Sequence, residues 1–386
     1  MNFYGYRRPD GKVGIRNKVL ILPTCACASE TCRVISQQVA GTVNIINQDG
    51  CAEVKGNEEI TQAVLSGFAA NPNVYGTILI GLGCESNSAE AMKKIIQEKT
   101  NKPLEVLVIQ DECGTVNTIN KAVKLARKMV MEASLVKLTQ CPISELMLGI
   151  ECGGSDTTSG FAANPVVGYV SDMLVDMGAS TVMSETTEFI GAEHILAKRG
   201  ANQKVKEQII EICRDLEEHL ANVNQDLRTG QPTPGNKEGG LSTIEEKSLG
   251  CIYKGGTRPI VEVVKYAEIP TQKGAIVMDT PGYDIASVSA MIAGGCQIIA
   301  FTTGRGTPTG HALAPVVKLT GNKETYTKLI DNMDFDVSDV TLGKKSIEES
   351  AKELFDELIE VSNGKLTKSE VYGFSDIAIN RICKYI

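Results

Sequence analysis

The chain contains no tryptophan, few aromatic residues of any kind (5%) and only three histidines. Stacking platforms for bases or sugar rings are thereby excluded, and recognition falls to backbone amides and charge. No apolar run approaches membrane-spanning length, and Met1-Asn-Phe-Tyr-Gly-Tyr-Arg-Arg8 lacks the apolar core of a secretory signal. The protein is therefore expected in the cytoplasm and off the membrane. No G-x-G-x-x-G follows the first strand-like run, where Thr24-Cys-Ala-Cys-Ala-Ser29 stands instead, and no Walker A sequence occurs. A nicotinamide enzyme and a nucleotide-triphosphate site are set aside on that ground. A net charge of -8 argues against a nucleic-acid partner.

What is present is a globular composition, 42% apolar and 22% charged, in 386 residues, enough for two domains with their own cores. Seven β-branched apolar runs recur: Val19-Leu-Ile-Leu22, Val43-Asn-Ile-Ile46, Thr77-Ile-Leu-Ile80, Val106-Leu-Val-Ile109, Leu146-Met-Leu-Gly-Ile150, Ala275-Ile-Val-Met278 and Ile298-Ile-Ala-Phe301. Helical periodicity separates most of them, which is the pattern of parallel strands covered on both faces, and the predicted class is α/β. Val205, Ile209, Ile212, Leu216, Leu220 and Val223 predict one amphipathic helix. Ser346 with Glu349 predicts a capping box for a second, which Asn363-Gly364 stops. The boundary is expected at a turn around Gln140-Cys-Pro142, giving an N-terminal α/β domain over 1–138 and a C-terminal domain over 139–386. An echo, Ser66-Gly-Phe-Ala-Ala-Asn-Pro72 and Ser159-Gly-Phe-Ala-Ala-Asn-Pro165, leaves internal duplication open.

Four glycine-rich segments look like ligand-facing loops: Glu151-Cys-Gly-Gly-Ser-Asp156, Pro232-Thr-Pro-Gly-Asn-Lys237, Asp279-Thr-Pro-Gly-Tyr-Asp284 and Thr302-Thr-Gly-Arg-Gly-Thr307. Their glycines let backbone amides approach a small anion. Read in order with Gly5-Tyr-Arg-Arg-Pro-Asp-Gly-Lys-Val-Gly-Ile-Arg-Asn17 and Gly81-Leu-Gly-Cys-Glu85, they resemble the altronate and galactarate dehydratase family, which also includes the large subunit of sulfolactate sulfo-lyase. The resemblance implies a Rossmann-like second domain of unusual form, a dimer joined through the first domain, and activity associated with divalent iron. Relatives acting on sugar acids carry a small β-clip domain ahead of the Gly-Tyr-x-Arg motif. With only four residues before Gly5, a separate small subunit is the expected partner.

Cys27, Cys51 and Cys84 each follow a predicted strand and match cysteines in the family's motifs, so in a parallel sheet they can converge on one edge. Three thiolates leave one position of a single ion, or one iron of a cluster, open to substrate; the alternative is that they merely fill space. Cys25 and Cys113 are further candidates, and Cys152 could be a fourth ligand. Gly154, Ser155, Asp156, Asn236, Arg305 and Gly306 are the expected acid-binding residues, with Arg305 as a fork-shaped donor. Lys237, Asp156 and Glu193 are the candidate catalytic groups; Asp279 and Asp284, which could bind a divalent ion or orient a base, and Glu185 and Glu188 add carboxylates whose facing the sequence leaves open. His194 and His219 are not expected to act as bases, and His311 departs from the family pattern at a position that could report substrate choice. The predicted reaction removes a proton beside a carboxylate and expels a β-substituent, giving a 2-keto acid; the substituent is hydroxyl from a sugar acid or sulfite from sulfolactate. A subunit that binds sugar acids without turnover is the alternative of a different class.

Overall fold

The computed structural model describes residues 1–382; Cys383 and the three residues after it lie outside the described residues. The first parallel sheet is built from β3 (Lys18–Pro23), β4 (Thr42–Asn44), β5 (Val74–Gly81) and β6 (Leu104–Val108) in the order β4-β3-β5-β6. Its faces are covered by α1 (Ala26–Gln37), α2 (Lys55–Ala70), α3 (Ala89–Lys99) and α4 (Thr115–Ala133). Val19, Leu20, Ile21 and Leu22 are all fully buried, as a strand packed on both faces requires.

The second sheet contains β8 (Met147–Cys152), β9 (Ser180–Met183), β10 (Ile260–Val264), β11 (Ala275–Met278), β12 (Ile298–Thr302), β13 (Val316–Thr320) and β14 (Phe335–Asp336). Its order is β10-β11-β9-β8-β12-β13-β14, and every pairing is parallel. Helices in this part of the chain include α5 (Asn164–Asp176), α6 (Glu193–Leu196), α7 (Gln203–Asn222), α8 (Pro234–Glu238), α9 (Ile244–Cys251) and α10 (Asp284–Ala293). No helix among the described residues is long and apolar enough to cross a membrane.

The seven apolar runs are strands and α7 is the helix its periodicity predicts. The capping box is present in both directions, Ser346 holding the Glu349 amide and Glu349 returning to Ser346, at the start of the helix Ile347–Ser362. The turn expected around Gln140 is instead a strand, β7 (Thr139–Pro142), which pairs antiparallel with β1 (Asn2–Arg7), itself paired with β2 (Val13–Gly14). Proline closes this strand at its edge, where no ladder donor is needed, and the partner lies more than a hundred residues upstream, beyond any local pattern.

The two parallel sheets share one core. Phe68 and Val64 of α2 pack with Met291 and Ile292 of α10 and with Phe301 of β12 in one apolar cluster. The Asn71 amide donates to the carbonyls of Ile292 and Cys296, and Asn73 to those of Gln297 and Leu313. The N-terminal motif is structural as well: buried Arg8 donates to Pro72 O and Arg16 O, and buried Arg16 pairs with Glu370 at 2.8 Å while binding the carbonyls of Val361 and Lys365. The heptapeptide echo has no common fold. Ser66 to Ala70 end α2, whereas Ser159 to Ala163 form a wide turn leading into α5.

Candidate active site

In the second sheet the chain starts at β8, builds β9 and then β10 and β11 to one side, β11 entering between β9 and β10, and crosses to β12 on the other. The strand order therefore reverses between β8 and β12, and in open parallel sheets the crevice outside the strand ends at such a point is where ligands bind. Both loops are among the four glycine-rich segments. Gly154 O accepts from the amides of Gly304 (3.2 Å) and Arg305 (2.8 Å), and the Gly153 amide donates to Thr302 O at 3.0 Å. Gly154 has φ of +58°, a conformation that a side chain disfavours.

The structure gathers most of the predicted acid-binding residues here. The Asn236 amide donates to Ser155 O at 2.8 Å and its oxygen accepts from the Thr233 amide, so α8 is seated on the loop after β8. Lys237 follows on the exposed side of α8. Arg305 is half exposed, 3.0 Å from Glu238, with Gly306 beside it. Asp156 is buried, and its carboxylate accepts from Thr158 Oγ1 (2.6 Å), the Ser159 amide (3.0 Å) and Asn322 Nδ2 (2.9 Å), which commits it to holding the loop. Glu193 begins α6 and closes its own turn on the Gly191 amide at 2.5 Å, with no hydrogen bond to any crevice residue. A cavity of about 290 Å³ lined by Ser155, Asp156, Asn164, Lys247 and Cys251 leads inward from this loop.

Behind it lies a group of buried charges. Glu151, Glu185, Lys254 and Cys152 are at most 1% exposed, and Glu188 and Lys247 are below a tenth. Lys247 pairs with Glu188 at 2.7 Å; Lys254 pairs with Glu185 and reaches Cys152 Sγ at 3.3 Å. Cys152 Sγ lies 2.9 Å from Glu188 Oε2 and 3.5 Å from Cys251 Sγ. Burial alone would strip the proton from Lys254, but the surrounding thiols and carboxylates hold its pKa well above the usual lysine value. Burial likewise works against ionised Glu188, yet Lys247 and Lys254 bring its pKa down to about 2. Glu151 has no cation bonded to it, and burial and Glu185 push its carboxyl well up; Asp284, at the start of α10, is pushed up to about 7 by burial, Glu185 and Glu188. The thiol contact with Cys251 and burial raise Cys152, which stays a thiol.

Of the carboxylates whose facing the sequence leaves open, Glu185, Glu188 and Asp284 thus turn inward, while Asp279 accepts from Thr186 Oγ1 at 2.6 Å beside a separate cavity of about 800 Å³. Glu151, Lys247, Cys251 and Lys254 are not among the residues expected from the sequence. Glu151 had a signal, standing at the end of a buried strand directly before Cys152. The lysines had none, since a cation on a short helix becomes interior only through what packs on it.

On the first sheet, the loops carrying Cys27, Cys51 and Cys84 do converge. The Ala26 amide donates to Asp49 O (2.9 Å), the Asn87 amide to Gly50 O (3.2 Å) and the Ala52 amide to Ser86 Oγ (3.0 Å). All three cysteines are exposed, and their sulfurs do not close to within 4.8 Å of one another, the spacing around a single ion. A cluster spreads its thiolates more widely. Cys25 is buried with its thiol pushed up to about 11 by burial, and Cys113 is exposed. His311 is interior, its ring 5.2 Å from that of Phe68 and its Nδ1 accepting from the Leu313 amide, so it packs between the sheets rather than at the crevice.

Fold and crevice together define an α/β protein with a polar crevice at its strand ends. Residues 5–134 match the family model for the second domain of D-galactarate dehydratase/altronate hydrolase, and residues 143–384 match that for the C-terminal part of D-galactarate/altronate dehydratase. The chain is 36% identical to the altronate dehydratase of Bacillus subtilis, over 98% of this chain and 77% of that one. It is 35% identical to subunit beta of (2R)-sulfolactate sulfo-lyase from Chromohalobacter salexigens, over 98% and 97%. With galactarate dehydratase (L-threo-forming) of Escherichia coli it shares 33%, over 94% and 73%. The chain belongs to the D-galactarate/altronate dehydratase family and is a lyase.

Proposed function

We propose that this protein is a hydro-lyase that dehydrates a sugar acid of the altronate or galactarate type to a 2-keto-3-deoxy acid. The observation that carries the reading is the interlocking of the loops after β8 and β12 at the point where the strand order reverses, in a chain whose relatives are named for this chemistry. Backbone amides around Gly154 and Ser155, with Arg305 at the rim, receive the carboxylate. Lys237, exposed on α8 next to Asn236, is the group that takes the α-proton, while Asn236 and Asp156 keep the loops in register. The family resemblance implies iron, and when bound it would supply Lewis-acid stabilisation of the developing enediolate and of the departing hydroxyl. The convergent loops of Cys27, Cys51 and Cys84 fit a thiolate cluster in their exposure and their order on one sheet edge.

Carbon–sulfur elimination from sulfolactate is the second reading, favoured by a relative that matches almost end to end and is named as a subunit. The subunit in that relative's name favours a separate small partner chain; a homodimer of this chain, in the cytoplasm, belongs to the same proposal. Anaerobic turnover with altronate, galactarate and sulfolactate, with and without the small chain, tests both readings. Keto-acid formation without sulfite supports dehydration, sulfite release supports the second reading, and binding without turnover of any of the three overturns both.

A further inference from the structure

Beyond the helix Lys368–Tyr372 the chain leaves the second sheet and crosses to the first, and the amides of alternate residues fasten it on the way. The Asp376 amide donates to Gly310 O (3.2 Å) and the Gly310 amide returns to Asp376 Oδ2 (3.1 Å). The Ala378 amide donates to Ser289 Oγ of α10 (3.4 Å), the Asn380 amide to Tyr266 Oη (3.2 Å) and the Ile382 amide to Asn57 Oδ1 of α2 (2.8 Å). Of the residues between, Ile377 and Ile379 pack on the apolar cluster that the two sheets share. A period of two is that of an extended chain, so Arg381 falls on the same face as those isoleucines, one step beyond the core.

There it meets the loop of Cys51. The Arg381 guanidinium pairs with Asp49 and stands 3.8 Å from Glu53 Oε1, so the acids two residues before and two residues after Cys51 are both on one cation. Each of these residues is also tied to a neighbouring thiol loop. Asp49 O accepts from the Ala26 amide, next to Cys27, and Glu53 Oε2 accepts from Asn87 Nδ2 (2.9 Å), three residues past Cys84. The Glu53 side chain is 1% exposed and that of Asp49 12%, so their mutual repulsion, and their repulsion of a thiolate between them, is poorly screened without a cation. A guanidinium fork suits two carboxylates at once.

We propose that Arg381 is a positioning residue for the thiol edge: carried on a strap fastened to the second sheet's side of the core, it holds the loop of Cys51 in register with those of Cys27 and Cys84. It acts through Asp49 and Glu53, and it makes the geometry of the first sheet's edge depend on anchors at Gly310, Ser289 and Tyr266. The consequence for iron rests on the thiolate reading of that edge given above; the register of the loops does not.

The test is hydrogen exchange of the full chain, metal-free and without oxygen, read on the peptides that carry the Ala26, Ala52 and Asn87 amides, whose hydrogen bonds join the three loops. Arg381→Ala should speed exchange there by about ten-fold or more, with β12 unchanged and the melting temperature in place. Arg381→Lys keeps the charge and should recover part of the protection. Tyr266→Phe loosens the strap without touching Arg381 and should give a smaller increase. Iron and acid-labile sulfide taken up on anaerobic reconstitution, with the thiolate-to-iron absorption, should fall in Arg381→Ala and partly return in Arg381→Lys. Wild-type protein that takes up no iron would defeat the thiolate reading and leave exchange to decide the role of Arg381. Unchanged exchange at the three loops in Arg381→Ala, or an increase spread equally over β12, overturns the proposal.

Discussion

The two parallel sheets put chemistry-bearing residues at the same place, the loops beyond their strand ends, and treat them in opposite ways. On the first, Cys27, Cys51 and Cys84 stand exposed on loops tied to one another through backbone hydrogen bonds. On the second, carboxylates, thiols and ammoniums are sealed beneath two glycine loops. Water screens groups at the first edge, so each is nearly independent of its neighbours. At the second edge the groups are obliged to pair, and removing one alters the rest.

The largest expected effect comes from that difference. Lys254→Met leaves Glu185 buried without its cation and should cost about 3–5 kcal/mol in urea unfolding, and adding Glu185→Gln should restore much of it. An additive double mutant would break the contrast, because the second edge would then behave like the first. Arg16 and Glu370 offer a buried pair away from both edges. Burial works against ionised Glu370, but Arg16 holds its pKa below the usual value. Its contribution is therefore present above the unfolded carboxyl pKa, about 4.3, and is lost as pH falls through the depressed folded value. Glu370→Gln should destabilise by about 3 kcal/mol at pH 7, and the difference from wild type should shrink on acidification; a difference that grows in acid would contradict the pairing.

Gly153→Ala should cost about 1–3 kcal/mol through overpacking against Asp284, measured by thermal unfolding. Arg305→Lys exchanges a fork for a point charge at the rim. Stability should not change, while KM for the acid should rise about ten-fold, the loss of one charge-assisted hydrogen bond. An unchanged KM would remove Arg305 from the substrate. Smallest of all on stability is Cys84→Ser, expected to leave the unfolding curve in place while lowering bound iron in anaerobically purified protein; iron retained in the variant would leave that edge without its metal.

The strand runs and the two amphipathic helices were legible because burial on both faces, or on one stripe, imposes a composition that shows locally. The capping box at Ser346 was legible for the same reason, as its partner is three residues away. β7 was not, since Gln140 and Pro142 read as a turn until β1 arrives from the other end of the domain. At the site, Gly154, Ser155, Asn236 and Arg305 could be picked out from glycine-rich loops, but the stapling of Asp156 by Asn322 and the local turn of Glu193 could not. Ser-Gly-Phe-Ala-Ala-Asn-Pro ends one helix and leads into another, so even seven identical residues do not carry their own conformation.

The sequence by itself determined the α/β class, the places where loops meet strand ends and the family to which those loops belong, because each depends on periodicity or on residues adjacent in the chain. Only the tertiary structure decided which ionisable groups are interior. Lys254 reaches Glu185 across 69 residues and Glu151 meets Ser287 across 136, and burial with its low dielectric exists only once those segments have packed.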